Sequence, residues 1–344
     1  MSKLEHLFKQ FSGKKVLVAP LDWGLGHVTR CIPIIRELRQ AGAEVILAGE
    51  GVFVILRNRE FPEMQILPLK GYRIKYAKSK YFLFLKLILQ LPKIRRAVRN
   101  EKKWLDEIID SQKIEVVISD NRLGLSSKKI PCYFITHQLL IKSGFQFLDK
   151  IIQKINYSYI NSFQECWVPD VKEDLGYAGE LSHPQILPKI PVRYLGLLSR
   201  FHKSTASHQY KIAVVLSGPE PQRTILEKII IREFQNIDFP VLFVRGLPTE
   251  SESMLLKNKN IEVHNHLSSE ELSIAMQESE FVLSRSGYST IMDLIAIQKQ
   301  AILIPTPGQT EQEYLAKYLS QKGYFQTLSQ SEFKLDKLLQ LISG

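Results

Sequence analysis

Short apolar runs alternate with helical patterns along this 344-residue chain, and the alternation constrains the fold more than any other feature of the sequence. Nearly all-apolar runs are typical of parallel strands that are buried on both faces, and helical crossovers connect such strands. The first series has predicted strands at 16–19, 45–48, 66–69, 116–119 and 133–135, and predicted helices that include 28–41 and 93–109. The first part of the chain is therefore predicted to form a parallel sheet of βαβ units.

A second series begins after a proline-containing segment, 183–208, which we interpret as a linker. Its predicted strands lie at 212–216, 241–244, 281–283 and 301–304. The chain length also favours roughly two domains. The sequence thus predicts an α/β protein of two Rossmann-like domains that face each other across a ligand-binding cleft. We place the domains at 1–197 and 198–330, followed by a C-terminal helix within 331–344 that could pack back on the first domain.

The net charge of +11 comes from one part of the chain. Lysine and arginine total 46 and aspartate and glutamate total 35, and the window 70–103 holds twelve of the basic residues with one acid, Glu101. The remainder of the chain is balanced. The excess positive charge therefore belongs to one patch and not to the whole protein, and the function must account for that patch.

The sequence favours a cytoplasmic protein that could be peripheral on the inner face of the cell membrane. Residues 1–15 lack the apolar core of a secretory signal, and the apolar run 81–91 is too short to cross a bilayer. Cys31, Cys132 and Cys166 have no metal-ligand spacing, which suits free thiols in a reducing compartment. We expect neither a bound metal nor a cofactor.

The loop after the first predicted strand carries two glycines and a histidine. Gly24 and Gly26 permit a sharp turn and a close approach to a ligand, and His27 follows at a predicted helix start. A neutral imidazole there could act as a general base, and the helix N-terminus would lower its pKa. The alternative is that His27 only hydrogen-bonds the loop. A dinucleotide fingerprint fits poorly, because Thr29 stands where a third glycine is required.

A second motif runs from a predicted strand into a helix that is predicted to begin near Tyr288 or Ser289. The small residues Ser286 and Gly287 precede it, and N–H groups at such a helix start are typical of a phosphate site. Asp293 lies one turn into the helix. Its carboxylate could accept hydrogen bonds from a ribose or could merely complement the helix dipole.

A third motif, 305–314, offers amides and carboxylates that suit sugar hydroxyls, among them Gln309, Glu311 and Gln312. The same residues are also typical of a surface turn followed by a helix with acids in its first turn.

The loop after the first strand of the second series is a fourth candidate. Ser217 and Gly218 could contact a diphosphate, with Arg223 as a charge partner. Pro219 and Pro221 remove N–H donors from this loop, so a rigid turn that starts a helix is the alternative.

Together these motifs resemble a GT-B-fold nucleotide-sugar glycosyltransferase of family 28, the family of the peptidoglycan enzyme that adds N-acetylglucosamine to a lipid-linked muramoyl-peptide. The similarity is strongest over 280–323, at Arg285-Ser286-Gly287, Ser289-Thr290, Asp293, Pro305, Glu311-Gln312 and Ala316. A second similar segment is Gly24-Leu25-Gly26-His27, which is like the family's Gly-Gly-His loop. The resemblance implies an inverting enzyme that uses a UDP-sugar and needs no protein-held metal.

The resemblance also implies a donor site. Ser286 and Gly287 would bind the diphosphate, Asp293 would replace the family's glutamate at the ribose, and Gln312 would hold the donor sugar. Glu313 replaces the family's second glutamine, which leaves the donor sugar open. The full set of implied donor-binding residues is Ser217, Gly218, Arg223, His266, Leu267, Arg285, Ser286, Gly287, Tyr288, Ser289, Thr290, Asp293, Gln309, Glu311 and Gln312, with His266 and Leu267 on a uracil base.

In the reaction that the resemblance implies, an acceptor hydroxyl attacks the anomeric carbon as the nucleotide diphosphate departs. The N–H dipoles at 286–290 would stabilise the charge that develops on the diphosphate. We assign the base to His27, oriented by Asp120 at the end of a predicted strand, although Asp120 could also be a turn residue. The predicted acceptor-side residues are Gly24, Gly26, His137 and Gln138.

The basic window 70–103 has two interpretations. Its cations and the apolar run 81–91 could contact an anionic membrane surface, which suits a lipid-linked or surface-glycan acceptor. Alternatively, one helix face packs on the sheet, through Ile94, Ala97, Val98, Trp104 and Ile108, while the cations face water. Nucleic acid is not expected as a partner, because no binding motif accompanies the patch.

Two other functions remain open at this point. A nucleotide-sugar epimerase of the same fold would need a donor but no acceptor. A non-catalytic protein that binds a sugar nucleotide or a membrane would keep the binding residues without turnover.

Overall fold

The computed structural model describes residues 3–21, 25–72, 80–143, 146–252 and 254–343. The chain divides into two compact units, Met1–Leu198 and Ser199–Gly344, and each contains its own parallel sheet. The predicted α/β class is confirmed. Gly24 and residues 73–79 of the basic window lie outside the described residues.

In its described part, the first unit is a seven-stranded parallel sheet with helices. The strands are β1 (Lys15–Pro20), β2 (Glu44–Gly49), β3 (Ile66–Pro68), β4 (Val116–Asp120), β5 (Cys132–Ile135), β6 (Glu165–Val168) and β7 (Val192–Tyr194). The α-helices are α1 (Lys3–Phe8), α2 (Leu25–Gln40), α3 (Val52–Glu60), α4 (Lys80–Gln112) and α5 (Gln146–Ile160). The strand order is β3-β2-β1-β4-β5-β6-β7, in which β1 and β4 are central. Almost every side chain of these two strands is buried, because helices cover both faces of the sheet.

Two local predictions in the first unit were wrong. Helix α4 begins at Lys80 and continues through Pro92, whereas we expected a helix only from residue 93. A proline removes one backbone donor, and the rest of the 33-residue helix keeps its hydrogen bonds. Strand β7 lies inside the predicted linker, next to Pro191. It is an edge strand, where a neighbouring proline does not interrupt the sheet.

The second unit, in its described part, has a six-stranded parallel sheet. Its strands are β8 (Tyr210–Val215), β9 (Val241–Val244), β10 (Ile261–His264), β11 (Ser279–Ser284), β12 (Ala301–Leu303) and β13 (Gln326–Thr327). Its α-helices are α6 (Gln222–Glu233), α7 (Ser269–Gln277), α8 (Tyr288–Ala296), α9 (Thr310–Gln321) and α10 (Leu335–Ser343). The strand order is β10-β9-β8-β11-β12-β13.

Helix α10 belongs to the core of the second unit. Leu338 is fully buried with Phe234 and Phe333, and Leu335 and Leu341 pack against the same cluster. The sequence also allows this helix to pack back on the first domain. Its leucines recur on one helical face, and that face is covered by the second unit.

The two sheets place the candidate residues at equivalent positions. In a doubly wound sheet, ligands bind beyond the carboxyl ends of the strands where the strand order reverses. That point lies between β1 and β4 in the first unit and between β8 and β11 in the second. His27 follows β1 and Asp120 ends β4, while Ser217 follows β8 and Arg285 follows β11. Each unit therefore carries its own set of candidate residues at its own switch point.

Candidate active site

The candidate base and its partners come together at the carboxyl edge of the first sheet. The parallel register places Asp120 beside Pro20 of β1 and Ile135 of β5. His27 lies in the first turn of α2, directly after β1, and His137 lies two residues after β5. As a result, the Nδ1 atom of His27 is 3.2 Å from Oδ2 of Asp120.

Arg30, which the sequence did not single out, lies between these residues. Its Nε donates to Oδ2 of Asp120 at 2.8 Å, and its Nη2 donates to Oδ1 of the same carboxylate. Nη2 also lies 2.7 Å from Nδ1 of His27, and Nη1 lies 3.0 Å from Nδ1 of His137. The one sequence feature that could have indicated Arg30 is its spacing from His27, because residues three apart on a helix lie on the same face.

Burial and charge set the protonation of this cluster. Asp120 is fully buried and the His27 side chain is only 15% exposed. Burial, together with the Arg30 cation, lowers the pKa of His27 below its ordinary value, although Asp120 acts in the opposite direction. Burial alone would raise the pKa of Asp120, but Arg30 and His27 lower it below its usual range. The cluster therefore holds an ionised Asp120 beside a neutral His27.

The other predicted acceptor-side residues lie close by. The carbonyl of Gly26 accepts a hydrogen bond from Thr29 Oγ1 at 3.1 Å within the first turn of α2. Gln138 Nε2 lies 3.5 Å from Nε2 of His137. Each of these contacts lies within one loop, and the two loops are joined by the contact of Arg30 with His137.

In the second unit, the loop after β11 leads into the N-terminus of α8. Gly287 is the residue before the helix, and it has no side chain that could cap the first turn. A Cβ atom added to Gly287 would lie 4.0 Å from Nε2 of Gln312 and would meet no other atom within that distance. The start of α8 and the amide of Gln312 therefore border the same space. Ser286, in contrast, is fully buried and donates its hydroxyl proton to the Gln312 carbonyl at 2.9 Å.

The orientation of the Gln312 amide is fixed by the turn before α9. Its Oε1 accepts the backbone N–H of Thr306 at 2.9 Å, which leaves the NH2 end as the donor. Glu313, which stands where the resembled family has a second glutamine, accepts the N–H of Gly308 at 2.9 Å. In the first turn of α9, Glu313 thus has a structural role in shaping this loop.

Arg285 is a buried cation in the loop between β11 and α8. Its terminal nitrogens donate to the carbonyls of Ile304, Pro305 and Gln222 and to Oε1 of Gln330. Burial lowers the pKa of Arg285 to about 10, and within the described chain its Nε has no hydrogen-bond partner. Arg285 thus joins three loops and keeps a buried positive charge on the segment that leads into α8.

The loop after β8 presents Gly218 with a φ of 103°, in the left-handed region that favours glycine. Arg223, expected as a charge partner of a diphosphate, is buried in the first turn of α6. Its Nε donates to Glu220 at 2.6 Å, and Nη1 lies 3.1 Å from Glu227. The role of Arg223 on a ligand stays a prediction, since its donors already serve the fold.

Asp293 has partners that the sequence did not indicate. Ser199 Oγ donates to its Oδ1 at 2.7 Å, and Arg200 Nε lies 3.4 Å from its Oδ2. Burial raises the pKa of Asp293 despite these two contacts, which lower it. The carboxylate therefore joins α8 to the first residues of the second unit, and its contact with a ribose stays a prediction.

The remaining predicted donor residues lie in loops or first helical turns of the second unit. His266 and Leu267 are half-buried between β10 and α7, just before Ser268 and Glu271, which form a capping box. Tyr288, Ser289 and Thr290 form the first turn of α8. Gln309 precedes α9, and Glu311 lies in its first turn.

The described residues contain neither a metal-binding cluster nor a membrane-spanning helix. Within the described ranges, no group of three or more His, Cys, Asp or Glu side chains is arranged to hold a metal ion. None of the helices in the described part of the chain is long and apolar enough to cross a bilayer.

Comparison with known proteins agrees with the fold. The model of the glycosyltransferase family 28 C-terminal domain matches residues 225–343. A Clostridium tetani protein named UDP-N-acetylglucosamine--N-acetylmuramyl-(pentapeptide) pyrophosphoryl-undecaprenol N-acetylglucosamine transferase is 25% identical over 350 residues, which cover 94% of this chain and 89% of that protein.

Two solved structures show the same fold. Spinosyn forosaminyltransferase SpnP has a TM-score of 0.64 at 11% identity, with 96% of this chain and 90% of that chain covered. Acinetobacter baumannii MurG has a TM-score of 0.56 at 16% identity, with the same shares covered. The protein is thus a glycosyltransferase with the GT-B fold. More narrowly, residues 225–343 of its second unit match the glycosyltransferase family 28 C-terminal domain.

Proposed function

We propose that this glycosyltransferase is an inverting enzyme that moves a sugar from a UDP-sugar to a hydroxyl of a lipid-linked or surface-glycan acceptor. The observation that carries the donor part is the space bordered by Gly287, at the start of α8, and the amide of Gln312. Backbone N–H groups at a helix start favour a diphosphate, and an amide that can donate suits a sugar hydroxyl. The name of the Clostridium tetani relative, which includes UDP-N-acetylglucosamine, agrees with such a donor.

Electrostatics support a diphosphate leaving group at the same loop. The N–H groups at the start of α8 and the buried Arg285 cation provide positive potential before a ligand arrives. Fixed dipoles of this kind stabilise the charge that develops in the transition state more than the charge of the ground state. We assign Ser286 a supporting role, in which its side chain holds the loop and its backbone is available to the ligand.

His27 is the proposed general base. Its imidazole is neutral at physiological pH, and it is held next to Asp120 at the carboxyl edge of the first sheet. The base takes the proton of the acceptor hydroxyl, whose oxygen forms the new bond to the anomeric carbon while the bond to the UDP oxygen breaks. A positioned base of this kind contributes about a hundredfold or more to the rate.

The first unit also offers a surface that suits an anionic membrane. On α4, Arg95, Arg96 and Arg99 are exposed, whereas Glu101, the one acid of the basic window, is buried against Arg122. The interpretation that α4 packs on the sheet also holds, since Val98 and Ile108 are buried. The solvent face of this part of α4 is consequently cationic.

Helix α5 adds an exposed apolar stripe to the same unit. Phe147, Ile151 and Ile155, four residues apart, are 74%, 42% and 37% exposed, and Lys150 and Lys154 lie beside them. Apolar side chains flanked by lysines are typical of surfaces that bind at a lipid interface. These features support a peripheral position on the inner face of the cell membrane, where a lipid-linked acceptor would be reached.

Calorimetric titration of the full chain with UDP tests the donor assignment. We expect saturable binding, weakened at least tenfold in Gln312→Ala for a UDP-sugar and less for UDP alone. Gln321→Ala is the matched control, because it removes an exposed glutamine from the other end of α9. A folded protein that does not bind millimolar UDP contradicts the proposal.

The reaction itself is tested by mass spectrometry of products from a panel of UDP-sugars incubated with a membrane lipid extract. We expect a glycosylated lipid with one donor and its absence in His27→Ala. Incubation with the donor alone is the control for epimerisation. Conversion of the sugar without an acceptor contradicts the transfer of the sugar to a hydroxyl.

A further inference from the structure

The N–H donors of Arg30 are directed at three residues of the first unit, Asp120, His27 and His137. One hydrogen of Nη2 and the hydrogen of Nε serve the two oxygens of Asp120. The second hydrogen of Nη2 is directed at Nδ1 of His27, 2.7 Å away, and Nη1 is directed at Nδ1 of His137, 3.0 Å away. The Arg30 side chain is only 2% exposed, so this arrangement is shielded from water.

A guanidinium can only donate hydrogen bonds, because it is always protonated in proteins. A ring nitrogen 2.7 Å from Nη2 must therefore accept, so that Nδ1 of His27 carries the lone pair and Nε2 carries the proton. Asp120 Oδ2 lies 3.2 Å from the same nitrogen and could accept a hydrogen bond only if Nδ1 were protonated. The two contacts of Nδ1 thus require different tautomers of His27.

We propose that Arg30 is a positioning residue that sets the tautomer of His27, holding the proton on Nε2 in the resting protein. The consequence for catalysis rests on the proposed function of His27. A base that accepts a proton at Nε2 must carry its own proton on Nδ1, and Asp120 is the acceptor for that proton. Before the acceptor hydroxyl can be deprotonated, Arg30 must therefore leave Nδ1. The ring must also exchange protons with water, so that Nε2 loses its proton and Nδ1 gains one.

The proton balance of the step follows from this change of partner. The acceptor O–H bond breaks and an N–H bond forms at Nε2, which gives an imidazolium whose Nδ1–H donates to Asp120. The oxygen uses its electron pair to bond the anomeric carbon, and UDP leaves with the electrons of the bond that breaks. The groups that face His27 are Arg30, Asp120 and His137, and Cys31 Sγ lies 3.8 Å from Asp120 Oδ2.

Nitrogen-15 NMR of the histidine rings in the unliganded full chain tests the tautomer directly. His27→Gln identifies the signal by its loss. In the wild type we expect the proton on Nε2, and in Arg30→Met we expect it on Nδ1, because Asp120 is then the partner that remains. A wild-type His27 protonated on Nδ1 overturns the proposal, and so does an Arg30→Met protein that keeps the proton on Nε2.

Arg36→Met is the matched control, since Arg36 lies on the same helix and pairs with Glu60 at the surface. It is expected to leave the His27 signal unchanged. If Arg30→Met does not fold, the wild-type spectrum alone still decides, since it shows one tautomer or the other. No sugar nucleotide enters this measurement, so its outcome is separate from that of the UDP titration.

Discussion

Ser286 Oγ donates a hydrogen bond to the backbone carbonyl of Gln312 at 2.9 Å, and this bond joins the loop after β11 to the first turn of α9. The two loops follow neighbouring strands, β11 and β12. Because the bond uses the side chain of Ser286 and the backbone of Gln312, it leaves the amide side chain of Gln312 to border the start of α8. Substitutions near this bond therefore test the proposal that the start of α8 binds the nucleotide-sugar donor.

Gly287→Ala should impair the donor site without harming the fold. The φ of Gly287 is −73°, which any residue adopts, and a new Cβ would have only the Gln312 amide within 4.0 Å. We expect the free energy of unfolding to change by less than about 0.5 kcal/mol. UDP affinity, measured by calorimetry, should fall at least tenfold, about 1.4 kcal/mol, because the methyl group occupies the space of the ligand. Unchanged UDP affinity would show that no ligand approaches this glycine.

Asp293→Ala should weaken UDP binding if the carboxylate contacts the ribose. The comparison variant is Ser199→Ala, which removes the hydrogen bond of 2.7 Å to Asp293 but keeps the carboxylate. Ser199→Ala should lower the free energy of unfolding by about 1 kcal/mol and leave UDP affinity unchanged. Equal losses of affinity in the two variants would mean that Asp293 acts by holding residues 199 and 200.

The pH dependence of activity should reflect the low pKa of His27. The acidic limb of kcat/KM is expected below about pH 6.5, the ordinary value for histidine, because burial and Arg30 disfavour the imidazolium. Arg30→Met removes a cation and leaves Asp120 beside the ring, so the limb should move to higher pH. If the acidic limb of kcat/KM lies at the same pH in Arg30→Met as in the wild type, Arg30 does not act on the ionisation of His27.

The same histidine should affect stability with a defined sign. The unfolded chain binds a proton near pH 6.5 while the folded protein resists it, so the contribution of His27 is complete above about pH 6.5 and decreases as the pH falls toward the lower folded pKa. Urea unfolding at a series of pH values checks this. The loss of stability on acidification should be smaller in His27→Gln than in the wild type.

Glu101 should be required for stability. Its carboxylate accepts hydrogen bonds from Arg122 Nε at 2.8 Å, Tyr72 at 2.8 Å and the Gly124 N–H at 3.0 Å, all in the interior. Glu101→Ala leaves the Arg122 cation buried without its partner and should cost about 3–5 kcal/mol in urea unfolding. Glu107→Ala, an exposed acid on the same helix, should change stability by less than about 0.5 kcal/mol.

Vesicle sedimentation tests the membrane surface. The protein should sediment with vesicles that contain anionic lipid and should be released by salt, because screening weakens attraction between exposed charges. Replacement of Phe147, Ile151 and Ile155 by serine should abolish most of the binding. Ile225→Ser, an exposed isoleucine of the second unit, is the control. Binding that ignores lipid charge and salt would contradict the electrostatic contribution.

The sequence by itself determined the parallel α/β fold and the positions of several strands and helix starts. Strands that are buried on both faces must be nearly all apolar. The apolar run 116–119 therefore predicted a strand, and the structure places β4 at Val116–Asp120. Small residues before a helix likewise revealed the start of α8 at Tyr288. Strand β7 was missed, because its three partly exposed residues, one of them Arg193, leave little apolar pattern.

Only the tertiary structure decided which side chains meet. Arg30 lies 90 positions from Asp120 in the chain, and the two are joined because β1 and β4 are neighbours in the sheet. The tertiary structure likewise pairs the Asp293 carboxylate with Ser199 and Arg200. It also pairs the buried Glu101 carboxylate with Arg122. Local patterns record burial and backbone conformation. The partner of a buried charge depends on strand order, which no local pattern contains.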